Sequence, residues 1–156
     1  MESVRNAPEL SKVAEVELVY RNFVKPSQRP QVTSSKIAYS SFMSCWNGDK
    51  IELIEEFKVM LLNRNLRVLG IINISTGGMS GTFVDLKIIF SAALKGNACT
   101  LILAHNHPSG NLNPSEQDLR LTKRIREAGR VLDIEVNDHL IITAEGFYSF
   151  ADEGAL

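Results

Sequence analysis

Long apolar runs are missing from this chain. No stretch approaches the roughly 18 residues that a membrane span requires, so no membrane partner is expected. Cysteine is scarce: Cys45 and Cys99 stand in unrelated settings, and no Cys-x-x-Cys occurs. A disulfide framework and a thiolate zinc site are therefore not expected, and Cys99 reads as a small core residue. A surplus of one charge is also missing. Seventeen basic and 18 acidic residues leave a net charge of -1. That balance argues against a general nucleic-acid binder, whose affinity rests on neutralising phosphates. The small-residue loop Ser75–Gly81 is not followed by Gly-Lys-Ser/Thr, so it is not a nucleotide P-loop. The N-terminus lacks the basic-then-apolar order of a signal peptide, and the expected location is cytoplasmic. What remains is a chain of 156 residues, 44% apolar, which fits one domain with a sizeable core.

Histidine is rare as well, with three in the chain, and two of them are two residues apart. His105 and His107 follow the apolar run 99–104, which reads as a buried strand. Residues i and i+2 of a strand point to one side, so both imidazoles can aim at one point while Asn106 faces away. The Pro-, Gly- and Asn-rich segment 108–114 forces a turn. Asp118 then arrives in the first turn of a helix and can bring a carboxylate to the same point. Two imidazoles and a carboxylate suit a three-ligand zinc site with one position left for water, as catalytic rather than structural sites have. Ser115-x-x-Asp118 also resembles a helix capping box. The same ligand set would suit a non-haem iron centre, which metal analysis separates from zinc. A nucleobase deaminase would need His-x-Glu and Cys-x-x-Cys, and neither is present.

His-x-His-Pro, with Ser-x-x-Asp placing Asp118 eleven residues after His107, resembles the JAMM signature of JAB/MPN-type zinc metallopeptidases. The fuller string from His105 to Asp118 resembles the RadC branch. The resemblance runs from about Ile51 to the C-terminus, through Val136–Ile142 and Tyr148–Gly154. It implies a three-layer α/β fold of the JAMM/MPN, cytidine-deaminase-like kind, with a mixed, mostly antiparallel sheet flanked by helices. It also implies Zn2+ held by His105, His107 and Asp118, and hydrolysis of a peptide or isopeptide bond. The general base it assigns is the glutamate of Glu-x-Phe-x-Val, here Glu55, and Ser115 would donate to the oxyanion. On a strand Glu55 would share a face with Phe57, Val59 and Leu61, extending an inward-looking row. RadC-type proteins are also associated with DNA repair, which makes a binding protein with a structural metal the competing reading. Their N-terminal helix-hairpin-helix region has no counterpart in the first fifty residues.

The remaining elements follow from pattern. Residues 1–12 read as mobile and Val13–Tyr20 as a strand. Lys25–Pro30 is a connector, and Ser34 or Ser35 caps a helix to about Trp46. Residues 1–50 thus form an extension packed on a domain spanning 51–156. Ile51–Leu62 and Leu66–Ile74 are expected to pair as an antiparallel hairpin. Asp85 caps a helix from Leu86 to about Lys95, with Ile88, Ile89, Ala92 and Ala93 as its apolar stripe. Ser115 to about Arg130 is a helix turning Leu119, Ile125 and Ala128 to the sheet, while Arg120, Lys123, Arg124, Arg126 and Arg130 form a solvated face, with a docking surface for an acidic partner or a nucleic acid as the alternative. Leu132–Thr143 and Phe147–Phe150 complete the sheet, and His139 reads as a satisfied structural histidine rather than a fourth ligand.

Overall fold

One strand, Thr100–Asn106, is buried along its whole length, and the other elements are arranged around it. Its sequence, Thr-Leu-Ile-Leu-Ala-His-Asn, is apolar on both faces from Leu101 to Ala104, so both faces must be covered. The structure is a computed structural model that describes residues 21–79 and 81–156. The strand expected over Val13–Tyr20 lies outside the described residues.

The strands are β1 (Glu56–Leu62), β2 (Val68–Thr76), β3 (Thr100–Asn106), β4 (Glu135–Ile142) and β5 (Phe147–Ser149). They form one sheet in the order β2-β1-β3-β4-β5. Among the described residues only the β3–β4 pair is parallel. The helices are α1 (Ser35–Met43), α2 (Leu86–Lys95) and α3 (Glu116–Val131), preceded by a 3-10 turn at Pro26–Gln28.

Strand alternation sorts the core into two halves. Phe57, Val59, Leu61, Leu101 and Leu103 pack beneath Ile89, Phe90 and Ala93 of α2 and Ile125 of α3. Met60, Leu62, Ile102, Ala104, Leu140 and Ile142 meet Ala38 and Phe42 of α1, with Trp46 beside them. The result is three layers, with α1 on one side of a mixed, mostly antiparallel sheet and α2 with α3 on the other. This is the fold class that the resemblance implied.

One irregularity bears on the site. Leu101 pairs with Val136, but Ile102 pairs with Asp138, so β4 carries an extra residue at Asn137. The bulge reverses the alternation. Val136 packs in the α2/α3 half and Leu140 in the α1 half, although both numbers are even. It thereby turns His139 to the face that carries His105.

Several boundaries differ from the sequence reading. β1 begins at Glu56 rather than Ile51, because residues 48–53 form a turn and the carbonyls of Ile51 and Ile54 accept from a side chain of β3. α1 ends at Met43, and Trp46 folds back with its ring edge against Phe42 at 6.3 Å. The buried stripe of α2 is Ile89, Phe90 and Ala93, whereas Ile88 faces solvent. The caps at Ser34, Asp85 and Ser115 match the sequence reading.

The far end of the sheet is tied by Asp138. Its carboxylate accepts from Ser149 Oγ at 2.6 Å, the amide of His139 at 2.7 Å and the amide of Ala151 at 3.0 Å. Burial outweighs these bonds and raises its carboxyl above the ordinary value. A raised carboxyl contributes stability that is present at low pH and lost as pH rises through the folded value. Asp138→Asn keeps the shape and removes that loss. Urea midpoints from pH 4 to 8 should show Asp138→Asn gaining on the wild type as pH rises; a difference that stays flat or shrinks contradicts this.

Candidate metal centre

The C-terminal end of β3 carries three polar residues in succession, and each is held by a different device. His105 lies on the α2/α3 face and is 2% exposed. His107 sits one residue beyond the strand, kept in line by its amide, which donates to Ile142 O at 2.9 Å. Its Nδ1 is 2.6 Å from Asn111 O. A carbonyl only accepts, so Nδ1 carries the proton and Nε2 is turned toward His105. The loop that permits this bends at Gly110, whose φ of 81° suits glycine. It leads into α3, where Ser115 is the N-cap and Asp118 the third helical residue.

The three expected ligands converge. His105 Nε2 is 2.9 Å from His107 Nε2 and 3.3 Å from Asp118 Oδ1, and His107 Nε2 is 3.6 Å from Asp118 Oδ2. Ligand atoms from all three residues lie within 4.8 Å of one another. Ligands about 2.0–2.1 Å from a tetrahedral zinc are about 3.3 Å apart, so the separations suit such an ion. The charge pattern points the same way. Burial would raise the Asp118 carboxyl, but hydrogen bonds from both imidazoles and Ser115 outweigh it and hold the group far below the carboxylate range. His107 is pushed up, chiefly by its hydrogen bond to Asp118. Its committed Nδ1 and the short contact between the two Nε2 atoms require a shared proton where a cation would sit. The donor set therefore fits a metal ion.

Glu55 precedes β1 yet continues its pairing. Its amide donates to Gly78 O at 3.0 Å, and Gly77 N donates to Glu55 O at 2.8 Å. A side chain on Gly77 would collide with the carbonyl of Gly81, so this close approach needs glycine. The Glu55 side chain borders the same cleft, about 480 Å³, as His105, His107, Ser115 and Asp118. Burial raises its carboxyl, and the two histidines oppose that shift. The neighbouring Glu56 instead meets Lys58 at 3.6 Å.

Ser115 forms a full capping box. Its Oγ accepts from Asp118 N at 3.1 Å and donates to Asp118 Oδ2 at 2.7 Å, and its amide donates to Asp118 Oδ2 at 2.7 Å. The hydroxyl thus steers the ligand carboxylate while remaining on the exposed rim of the cleft. Arg120, Lys123, Arg124 and Arg130 of α3 are exposed, as a solvated face requires, and Arg126 is half-buried.

Two residues matter more than the sequence reading allowed. His139 is fully buried and bonded to His105 at 2.8 Å. Asn106 does face away from the ligands, but it is not idle. Its Nδ2 donates to Ile51 O at 2.7 Å and Ile54 O at 2.8 Å, and its Oδ1 accepts from Glu56 N at 2.7 Å. One amide fixes the segment that carries Glu55. The signal was available: a wholly buried amide needs partners on its own face.

Comparison with known proteins agrees with this architecture. The family described as RadC-like JAB domain matches residues 32–155. An UPF0758 protein of Flavobacterium johnsoniae is 42% identical over 152 residues, covering 97% of this chain and 65% of that relative. One from Porphyromonas gingivalis is 43% identical over 136 residues, covering 84% and 59%. One from Symbiobacterium thermophilum is 42% identical over 103 residues, covering 66% and 44%. The chain therefore spans only part of the length of these curated relatives, and it belongs to the RadC-like JAB domain family.

Asn106→Ala strands two carbonyls and one amide. Each such buried group costs about 1–3 kcal/mol, so a lower urea midpoint is expected. The amide of Glu56 should lose its protection against hydrogen exchange. Unchanged protection there contradicts the clamp.

Proposed function

We propose, from the chain's place in the RadC-like JAB domain family, that it is a zinc-dependent hydrolase of peptide or isopeptide bonds. The observation that carries this reading is Glu55, a half-buried carboxylate bordering the same cleft as three converging ligands. A purely structural metal has no need of such a group, and burying it has a cost. His105, His107 and Asp118 would hold the ion. Zinc in such a site lowers the pKa of bound water to about 7 and polarises a carbonyl.

The chain's own residues supply the rest. Glu55 takes a proton from the attacking water on its carboxylate and returns it to the leaving nitrogen. Its raised proton affinity suits both halves of that exchange. Ser115 would turn its hydroxyl from Asp118 Oδ2 toward the developing oxyanion, and its place on the exposed rim supports that motion. The open cleft, lined by Met79 and Val84 as well as polar groups, suits an extended chain. Among the described residues no helix is long and apolar enough to cross a membrane.

Protein purified without added metal should contain close to one zinc per chain; stoichiometric iron would overturn the assignment. Glu55→Gln should keep that zinc content while slowing cleavage by about 10²–10⁴-fold, the usual contribution of a general base. The assay is a library of peptides and lysine-linked isopeptides read by mass spectrometry. Equal cleavage by wild type and Glu55→Gln removes Glu55 from the mechanism.

A further inference from the structure

The proposal here rests on the metal reading above and concerns two residues that touch neither substrate nor ion. We propose that His139 and Thr122 are positioning residues that dictate which nitrogen of His105 is left free to bind the metal. The feature that points to this is a line of hydrogen bonds whose direction is fixed at one end.

His105 Nδ1 is 2.8 Å from His139 Nε2, and His139 Nδ1 is 2.6 Å from Thr122 Oγ1. Thr122 Oγ1 is 2.7 Å from the backbone carbonyl of Asp118, one helical turn earlier. A carbonyl oxygen has no proton to give, so the Thr122 hydroxyl must donate to it. Its proton spent, Thr122 Oγ1 accepts from His139, which places the His139 proton on Nδ1. His139 Nε2 is then bare and accepts from His105, which places the His105 proton on Nδ1 as well. His105 Nε2, facing His107 and Asp118, is thus the nitrogen offered to the ion; without the ion it shares with His107 Nε2 the single proton that the ion would displace. The opposite polarity would press two lone pairs together across 2.7 Å at the Asp118 carbonyl.

Among the described residues, the two ring nitrogens of His139 bond to His105 and Thr122 alone, in a closed interior. His139 is 0% exposed, and Thr122 and His105 are each 2% exposed. Phe150 stacks on the His139 ring at 4.6 Å, and Phe57 meets it edge-on at 5.5 Å. Asp138 fixes the backbone behind that stack through Ser149 and Ala151. The bulge at Asn137 turns His139 inward to reach His105. Asp118 thus serves at both of its ends: its carboxylate faces the metal position, and its carbonyl sets the tautomer of His105.

Thr122→Val preserves shape and removes the hydroxyl, whereas Thr122→Ser preserves the hydroxyl. Ring-nitrogen NMR shifts of the metal-free wild type should report His139 protonated at Nδ1 and bare at Nε2. Zinc affinity, read by competition with a chromophoric chelator, should fall about 10–100-fold in Thr122→Val and stay near wild type in Thr122→Ser. A wild-type His139 protonated at Nε2 overturns the proposal whatever the variants do. So does a Thr122→Val protein that binds zinc as the wild type does. If wild-type protein takes up no zinc, the hydrolase reading fails, while the NMR shifts still decide the direction of the relay.

Discussion

A polar side chain on a strand buried on both faces has no water to turn to. That constraint governs β3. His105 and Asn106 are adjacent, wholly interior and on opposite faces, so each must be satisfied by particular atoms of particular neighbours. His105 is satisfied by His139 on one side and by His107 and Asp118 on the other. Asn106 is satisfied by the backbone of residues 51–56. The requirement that stabilises the strand therefore also fixes the two halves of the candidate centre. The ligands converge above the sheet, and the segment bearing Glu55 is anchored from below.

The same region concentrates the costs of the fold. Glu55, half-buried, and Asp138, buried, are carboxylates held above their ordinary proton affinity, and His139 is an imidazole pushed down by burial. Asp138 is repaid in hydrogen bonds that close the β4–β5 end and seat Phe150 against His139. Among the described residues, what offsets the burial of Glu55 is a backbone contact from Thr82 and the pull of two histidines. A side chain left so incompletely compensated, at the edge of an open cleft, is where a chemical role is expected rather than a structural one.

Much of this was legible in the sequence, for identifiable reasons. The His105–Asn106–His107 spacing, the turn-forming residues after it and the Ser115 cap are local features, and local features specify local geometry. The three-layer fold followed from a resemblance carried by a long motif. What could not be read were the effects of contacts between distant segments. β1 starts late because Asn106, some fifty residues on, captures the carbonyls of the preceding turn. Ile88 is exposed because α2 rolls onto Ile89, Phe90 and Ala93, a choice made by the sheet beneath it. His139 was recognised as satisfied, but nothing in Asp-His-Leu-Ile foretells a bulge that turns it toward His105.

The central claim is that three side chains from a strand end and a helix start hold an ion with one corner open beside Glu55. A crystal structure of zinc-loaded protein, with the metal located by its anomalous scattering, tests it most directly. The expected result is a tetrahedral ion bound by His105 Nε2, His107 Nε2 and an Asp118 oxygen at about 2.0–2.2 Å. A water should be the fourth ligand, within about 2.6–3.2 Å of the Glu55 carboxylate. No zinc at this position, a fourth protein ligand closing it, or Glu55 turned into solvent would contradict the account.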